Sequence, residues 1–282
     1  MLKKRIITSV IAIPLVIAIL WFGYLGNSWF ITAFVAAWGA LAVLEFYRLL
    51  RPQKISPIYI IGVLWTIAFI VLQHPAITGH NVTVNGSNLP LVPLFVTTGF
   101  LLSLILVLAR KEKYNAFPSL AWTWAGILYL GWLLGYAVSL YTAPDGRNWM
   151  FYALFCTFGS DTSAYFIGRS LGKHKATPAI SPNKTWEGCL GGVLGSVVVS
   201  LLFLLPHPVS LSAHLNVWQA VVLGLLVSVF GQIGDLVESL FKRNVGAKDS
   251  GNVMPGHGGF LDRMDSILFA IVIVYFWMLF LG

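Results

Sequence analysis

Residues 217–240 read VWQAVVLGLLVSVFGQIGDLVESL, a long apolar run that ends with two acids. Its length falls within the roughly 15 to 25 residues that cross a hydrocarbon core of about 30 Å. The whole chain is of the same kind. Of its 282 residues 57% are hydrophobic and 10% charged, whereas soluble globular domains are about 25% charged. The composition excludes an ordinary soluble domain and implies a membrane protein.

Eight other stretches share this character: Ile6 to Tyr24, Trp29 to Leu50, Ile58 to Leu72, Leu91 to Leu108, Leu120 to Leu140, Met150 to Ile167, Cys189 to Leu205 and Met264 to Leu281. The expected fold is therefore an all-α polytopic integral membrane protein of about nine transmembrane helices with a cytoplasmic N-terminus. The first span follows MLKKR as a secretory signal would. It is longer than a typical signal and lacks a small-residue cleavage site, so it reads as a retained anchor.

The basic residues support this count, because positively charged loops stay on the cytoplasmic side. With nine spans, 17 of the 18 Lys and Arg residues fall inside and only Arg147 outside. The loop His74 to Pro90 has no Lys or Arg and reads as an outer loop, its two N-x-S/T patterns being plain polar sequence. The net charge of +8 gathers on the inner face, where it sets topology and could hold anionic headgroups or a nucleotide. Cys156 and Cys189 lack metal-ligand spacing and read as small packing residues. Glu45 is an acid inside a span, which by default points to function, and its place near Arg48 reads first as an interfacial ion pair at i and i+3.

Seven of the ten acidic residues lie between Asp161 and Asp265. Residues 1–145 accordingly read as transmembrane scaffold helices and residues 146–282 as a catalytic transmembrane region, both parts of one integrated membrane domain. On a helix, Asp235, Glu238, Ser239 and Lys242 fall at i, i+3, i+4 and i+7 and share a face. Charges at such depth persist when they pair, line a wet cavity or bind metal; the plainer alternative is an internal Asp/Lys pair that staples helices together.

Asp161 shares a helical stripe with Tyr165 and Gly168 in FGSDTSAYFIGRSLGKHK. The following ISPNKTWEG places Lys184 in a loop feeding a helix that Thr185 or Glu187 could open. A basic loop at a helix N-terminus suits phosphate, although an ordinary polar turn fits the same residues. In MPGHGGFLDRMD, Met254 to Asp265, the glycines Gly256, Gly258 and Gly259 permit close backbone approach around His257. Asp262 and Asp265 fall at i and i+3 at the start of the ninth helix. Together with Asp161 and Asp235 they offer the hard oxygens that Mg²⁺ takes, though aspartates there can also serve as caps. His257 could act as base, phosphate donor or loop-ordering partner.

At this point the residues resemble a known family. SLFKRNVGAKDSGNVMPGHGGFLDRMD, Ser239 to Asp265, is similar to the signature of the phosphatidate cytidylyltransferases, or CDP-diacylglycerol synthases, with Met254 where Leu, Ile or Phe is more usual. SDTSAYFIGRSLGKHK and ISPNKTWEG resemble the family's other motifs, in the same order. The resemblance, to the bacterial branch, implies an inner-membrane enzyme with its site facing the cytoplasm, a homodimer, that condenses CTP with phosphatidic acid to CDP-diacylglycerol and pyrophosphate. It implies Mg²⁺ with a monovalent cation such as K⁺ beside it, and no nucleic acid partner. The metal ligands implied are Asp161, Asp235, Asp262 and Asp265. The catalytic set is Asp235, Asp262, Lys184, Lys242 and His257. Substrate binding falls to Ser181, Lys184, Ser239, Lys242, Arg243, Lys248, Asp249, Gly258, Gly259 and Arg263.

The clustered acids and lysines suit the same chemistry, because an ionised phosphate attacking an α-phosphorus needs charge neutralisation more than a base. Two rivals stand beside it. A CTP-dependent lipid-alcohol kinase would move the γ-phosphorus instead. A secondary transporter would place acids in paired motifs in two halves, whereas here they crowd into one. A CDP-alcohol phosphotransferase is disfavoured, since its DG-x2-AR pattern followed by G-x3-D-x3-D does not occur.

Overall fold

The computed structural model describes residues 14–23, 28–78, 82–84, 87–89, 91–110, 114–247, 249–251 and 259–281. Lys248, His257, Gly258 and residues 6–13 and 24 of the expected first span lie outside the described residues, while 14–22 are helical. Helices dominate two compact units.

The first unit is Met1–Thr142 with Asp249–Leu261. It contains α1 (Trp29–Arg48), α2 (Tyr59–Leu72), α3 (Leu91–Leu108), α4 (Ala116–Gly126) and α5 (Leu133–Thr142). A π-helical segment, Ile127–Trp132, joins α4 to α5, so one expected span is a continuous rod with a widened turn inside it. α1 gives way to a 3-10 turn, Arg51–Gln53, which has Pro52 in its first turn and is closed by Lys54 in the left-handed region. The core gathers Ile61, Phe69, Leu72, Leu120 and Ile127, with Trp132 edge-on to Phe69 at 5.5 Å. The buried Tyr47 hydroxyl donates to the Thr123 carbonyl at 2.7 Å, so its polar tip is satisfied inside this apolar surround. On α3, by contrast, Leu101, Ile105 and Leu108 turn outward along one face. A helix with so much outward apolar surface suits lipid rather than water.

Glu45 departs from expectation. It is 2% exposed and accepts from the backbone N–H of Leu261, while Arg48 is exposed. Both lie at the end of α1, and the burial of one and exposure of the other replaces the expected surface pair.

The second unit is Ala143–Lys248 with Asp262–Gly282. Here α6 (Gly146–Leu171) leads through a hairpin, β1 (Lys175–Thr177) and β2 (Ser181–Thr185), into α7 (Trp186–Leu202). α8 (Val217–Asn244) and α9 (Asp265–Leu281) complete it, a 3-10 turn at Leu261–Arg263 preceding α9. α8 opens on a capping box: Asn216 Oδ1 accepts from Gln219 N and Gln219 Oε1 from Asn216 N, each at 2.9 Å.

Polar side chains then fasten α8 to its neighbours at every fourth residue. Ser200 Oγ donates to Ala220 O at 2.6 Å, and Ser196 Oγ donates to Gly224 O at 2.7 Å. Ser160 and Ser228 share a hydrogen bond at 2.7 Å, and Gln232 Nε2 donates to Cys189 O at 3.1 Å. In an apolar surround, where helices gain nothing from excluding water, such interhelical bonds and small-residue contacts supply the cohesion.

Short strands accompany the helices of this mostly helical chain. Two antiparallel pairs occur, the hairpin just named and a second pairing Val82–Val84 with Ser87–Leu89. In the former, Pro182 cannot continue a helix, and the extended residues around it pair with the strand before them. Among the described residues, Trp29–Gln53, Leu91–Leu108, Ala116–Thr142 and Val217–Asn244 are helical segments long and apolar enough to cross a membrane. Tyr59–Leu72, Trp186–Leu202 and Asp265–Leu281 are apolar but shorter.

One glycine makes the α8–α9 contact possible. A Cβ at Gly234 would collide with the Asp265 backbone carbonyl and lie 2.8 Å from the Phe269 ring. A backbone carbonyl cannot swing aside as a flexible side chain can. Gly234→Val should therefore cost about 1–3 kcal/mol, seen as a lower unfolding temperature in detergent; an unchanged transition would show that α8 and α9 do not pack at this point.

Candidate active site

The charged stripe at the end of α8 is where the second unit gathers its polar groups. Helical spacing puts Asp235, Glu238, Ser239 and Lys242 on one face, and Ser239 Oγ donates to Asp235 Oδ1 at 3.4 Å. Lys242 Nζ lies 2.9 Å from Glu238 Oε1 one turn back and 2.8 Å from Asp262 Oδ1. The Glu238 side chain is wholly enclosed and that of Asp262 nearly so. One ammonium thus bridges two carboxylates from different elements.

A second pair forms above it. Lys184, on β2, places Nζ 2.7 Å from Asp235 Oδ2 and also donates to the Gln232 carbonyl at 3.3 Å. The hairpin is held so that Lys184 can reach. Arg243 Nε donates to Ile180 O at the hairpin turn, 3.2 Å away. Thr185 ends β2 and caps α7, its hydroxyl accepting from Gly188 N at 3.2 Å; this answers the question of which residue opens the helix. Glu187, the alternative, instead pairs with His174 at 2.6 Å.

Asp161 lies exposed on α6. Its charge interacts with those of Asp235 and Lys184, and the charge of Asp265 interacts with Asp235, Asp161 and Lys242. Asp262 and Asp265, expected together at the start of one helix, belong to adjoining elements. Asp262 belongs to the 3-10 turn and engages Lys242, whereas Asp265 is the first residue of α9 and accepts from Ser266 N at 2.7 Å.

The structure therefore brings Asp161, Lys184, Asp235, Ser239, Lys242, Asp262 and Asp265 into one electrostatic group, with Arg243 bracing the hairpin that carries Ser181. Arg263 is exposed in the 3-10 turn. Asp249 and Gly259 fall in the first compact unit, and Lys248, His257 and Gly258 lie outside the described residues. Sequence reasoning left Glu238 out of the site. Its place one turn before Lys242 on the charged face was the available signal.

Among the described residues no group of three or more His, Cys, Asp or Glu side chains stands arranged as a metal cluster. The donor chemistry nevertheless fits a hard dication. Among the described residues the five acids Asp161, Asp235, Glu238, Asp262 and Asp265 gather with the two ammonium groups of Lys184 and Lys242, so acid outnumbers lysine in the group. The internal ion pairing that the stripe allowed is realised, with partners drawn from β2 and the 3-10 turn.

Comparison with known proteins adds a whole-chain likeness. A family model described as the cytidylyltransferase family matches residues 3–281. A phosphatidate cytidylyltransferase of Staphylococcus haemolyticus (strain JCSC1435) is 36% identical over 270 residues, covering 96% of this chain and 96% of its own. One from Staphylococcus aureus (strain COL) is 34% identical over the same length and coverage.

Proposed function

The chain belongs to the cytidylyltransferase family, and on that premise we propose that it transfers the cytidylyl group of CTP to phosphatidic acid, giving CDP-diacylglycerol and pyrophosphate. The observation that carries this reading is the match over residues 3–281. The two lysine–carboxylate groups of the second unit supply chemistry that the reaction can use.

A phosphate oxygen of phosphatidic acid attacks the α-phosphorus of CTP, forming a new P–O bond as the bond to the bridging oxygen of the β-phosphate breaks. Pyrophosphate carries away that electron pair. The nucleophile is already ionised, so the barrier is mainly repulsion between two anions, and positioned cations lower it. Lys184 and Lys242 are held in place by carboxylates before any substrate arrives, and in the reaction they turn toward non-bridging phosphate oxygens. Arg243 keeps the Lys184 hairpin in register with α8. Ser181 and Ser239 donate to phosphate, while Lys248, Asp249, His257, Gly258, Gly259 and Arg263 shape the nucleotide side.

The same acids that hold the lysines would repel a triphosphate. We propose Mg²⁺, held by Asp161, Asp235, Asp262 and Asp265, as the charge that joins acid-rich protein to anionic substrates, with a monovalent cation such as K⁺ beside it. In the same reading the chain has nine spans with its N-terminus and site on the cytoplasmic side of the bacterial inner membrane. Residues 1–145 act as scaffold, residues 146–282 carry the reaction, and the enzyme works as a homodimer without nucleic acid. The concentration of Lys and Arg in alternate loops supports that orientation.

The test uses full-length protein in detergent with phosphatidic acid, Mg²⁺ and CTP labelled separately at the α- and γ-phosphorus. Lipid carrying the α label, released again by added pyrophosphate, is expected. Lipid carrying the γ label would make the protein a lipid-alcohol kinase, and no lipid labelling would turn attention to transport.

A further inference from the structure

The mechanism leaves Glu45 unused, although it is a carboxylate 2% exposed within the first compact unit. Its surroundings come from the segment that carries the glycine-rich signature. Glu45 Oε2 accepts from Leu261 N at 3.1 Å and from Ser250 Oγ at 3.4 Å. Leu261 opens a 3-10 turn, and the first N–H groups of a helical turn have no partner within it. Glu45 therefore caps, from α1, the turn whose next residue is Asp262.

The glycines of this segment fit around the same carboxylate. A Cβ at Gly259 would collide with both Ser250 Oγ and Glu45 Oε2, and one at Gly251 would lie 2.9 Å from Glu45 Oε1. Only hydrogen fits where Gly259 passes. Two turns back along the same face of α1, Trp38 takes the Phe260 ring edge-on, with centroids 5.0 Å apart. Residues on both sides of the span 252–258 are thus fixed to one face of one helix.

We propose that Glu45 is a positioning residue for cytidylyl transfer: it clasps the two ends of the signature segment, Ser250 and Leu261, and so fixes the chain immediately before Asp262. This rests on the reading under Proposed function. The role demands a hydrogen-bond acceptor of glutamate length, because a backbone N–H and a hydroxyl both donate to it and an apolar side chain would leave them unsatisfied. Glutamine keeps that length and one acceptor oxygen, which separates shape and hydrogen bonding from charge.

Full-length Glu45→Ala and Glu45→Gln are compared with wild type in two assays. In the CTP assay, Glu45→Ala should lower kcat about 10- to 100-fold, with KM for phosphatidic acid changed less than about twofold and more Mg²⁺ needed for half-maximal rate, while Glu45→Gln stays within about threefold of wild type. In limited trypsinolysis without substrates, cleavage after Lys248 and Arg263 should be faster in Glu45→Ala than in wild type or Glu45→Gln. Wild-type kcat together with wild-type cleavage in Glu45→Ala would overturn the proposal, as would a glutamine variant no better than alanine. If the wild type made no labelled lipid, the functional reading would fail, while the trypsin comparison would still decide whether Glu45 holds the segment.

Discussion

The Asp235→Asn variant should form CDP-diacylglycerol about 10³-fold more slowly than wild type, in the range lost when a charge that stabilises phosphoryl transfer is removed. Asp235 orients Lys184 at 2.7 Å and accepts from Ser239, and its charge interacts with Asp161 and Asp265. Asparagine keeps the shape and loses the charge, so both the lysine and any cation shared with those acids lose their anchor. The fold should tolerate the change. Lys184 already donates to the Gln232 carbonyl and is about one-fifth exposed, so it is not left stranded. The check is transfer of α-labelled CTP into lipid alongside an unfolding curve. More than a tenth of wild-type activity would remove Asp235 from the reacting centre.

Lys242→Met should be costly in a different way. Its ammonium is the hinge between the fully enclosed Glu238 and the nearly enclosed Asp262. Taking one member from a buried ion pair typically costs about 3–5 kcal/mol, because the other charge remains without compensation. Lys242→Met should therefore unfold at a clearly lower temperature and lose transfer. Adding Glu238→Gln to the same chain removes the stranded charge, so most of the stability should return while activity does not. That split distinguishes a lysine that staples the fold from one that also serves phosphate. If Lys242→Met unfolded like wild type, Glu238 would have to be solvated or neutral in the resting protein.

The helices were legible because apolar runs of membrane length leave few alternatives. Leu91–Leu108 is helical at the expected residues, and the stretch Ile58 to Leu72 is helical over Tyr59–Leu72. The π-helical turn at Ile127–Trp132 was not legible, since an apolar run has no period marking one extra residue in a turn. Helix arithmetic placed Asp235, Glu238, Ser239 and Lys242 together, and the structure agrees. It could not supply the partners from outside α8: Lys184 arrives on a strand and Asp262 from a turn, each set by contacts distant in sequence. Asp262 and Asp265 were read at the start of one helix, and only the boundary differs: Asp262 sits in the 3-10 turn and Asp265 begins the helix after it. For Glu45, only the pairing with Arg48 departs from the structure. Its sequence neighbour Arg48 was visible, and Leu261 was not.

The four rungs along α8, at Ala220, Gly224, Ser228 and Gln232, have a mechanical meaning. Rotating this helix by one residue, or sliding it by one turn, would break every rung at once in a medium with no water to replace them. α8 is thus a fixed rail, and Asp235, Ser239 and Lys242 ride on it at constant height. The hairpin that brings Lys184 and the short turn that brings Asp262 are tied to that same rail through Arg243 and Lys242, so the rail's register sets the height of the whole charged group.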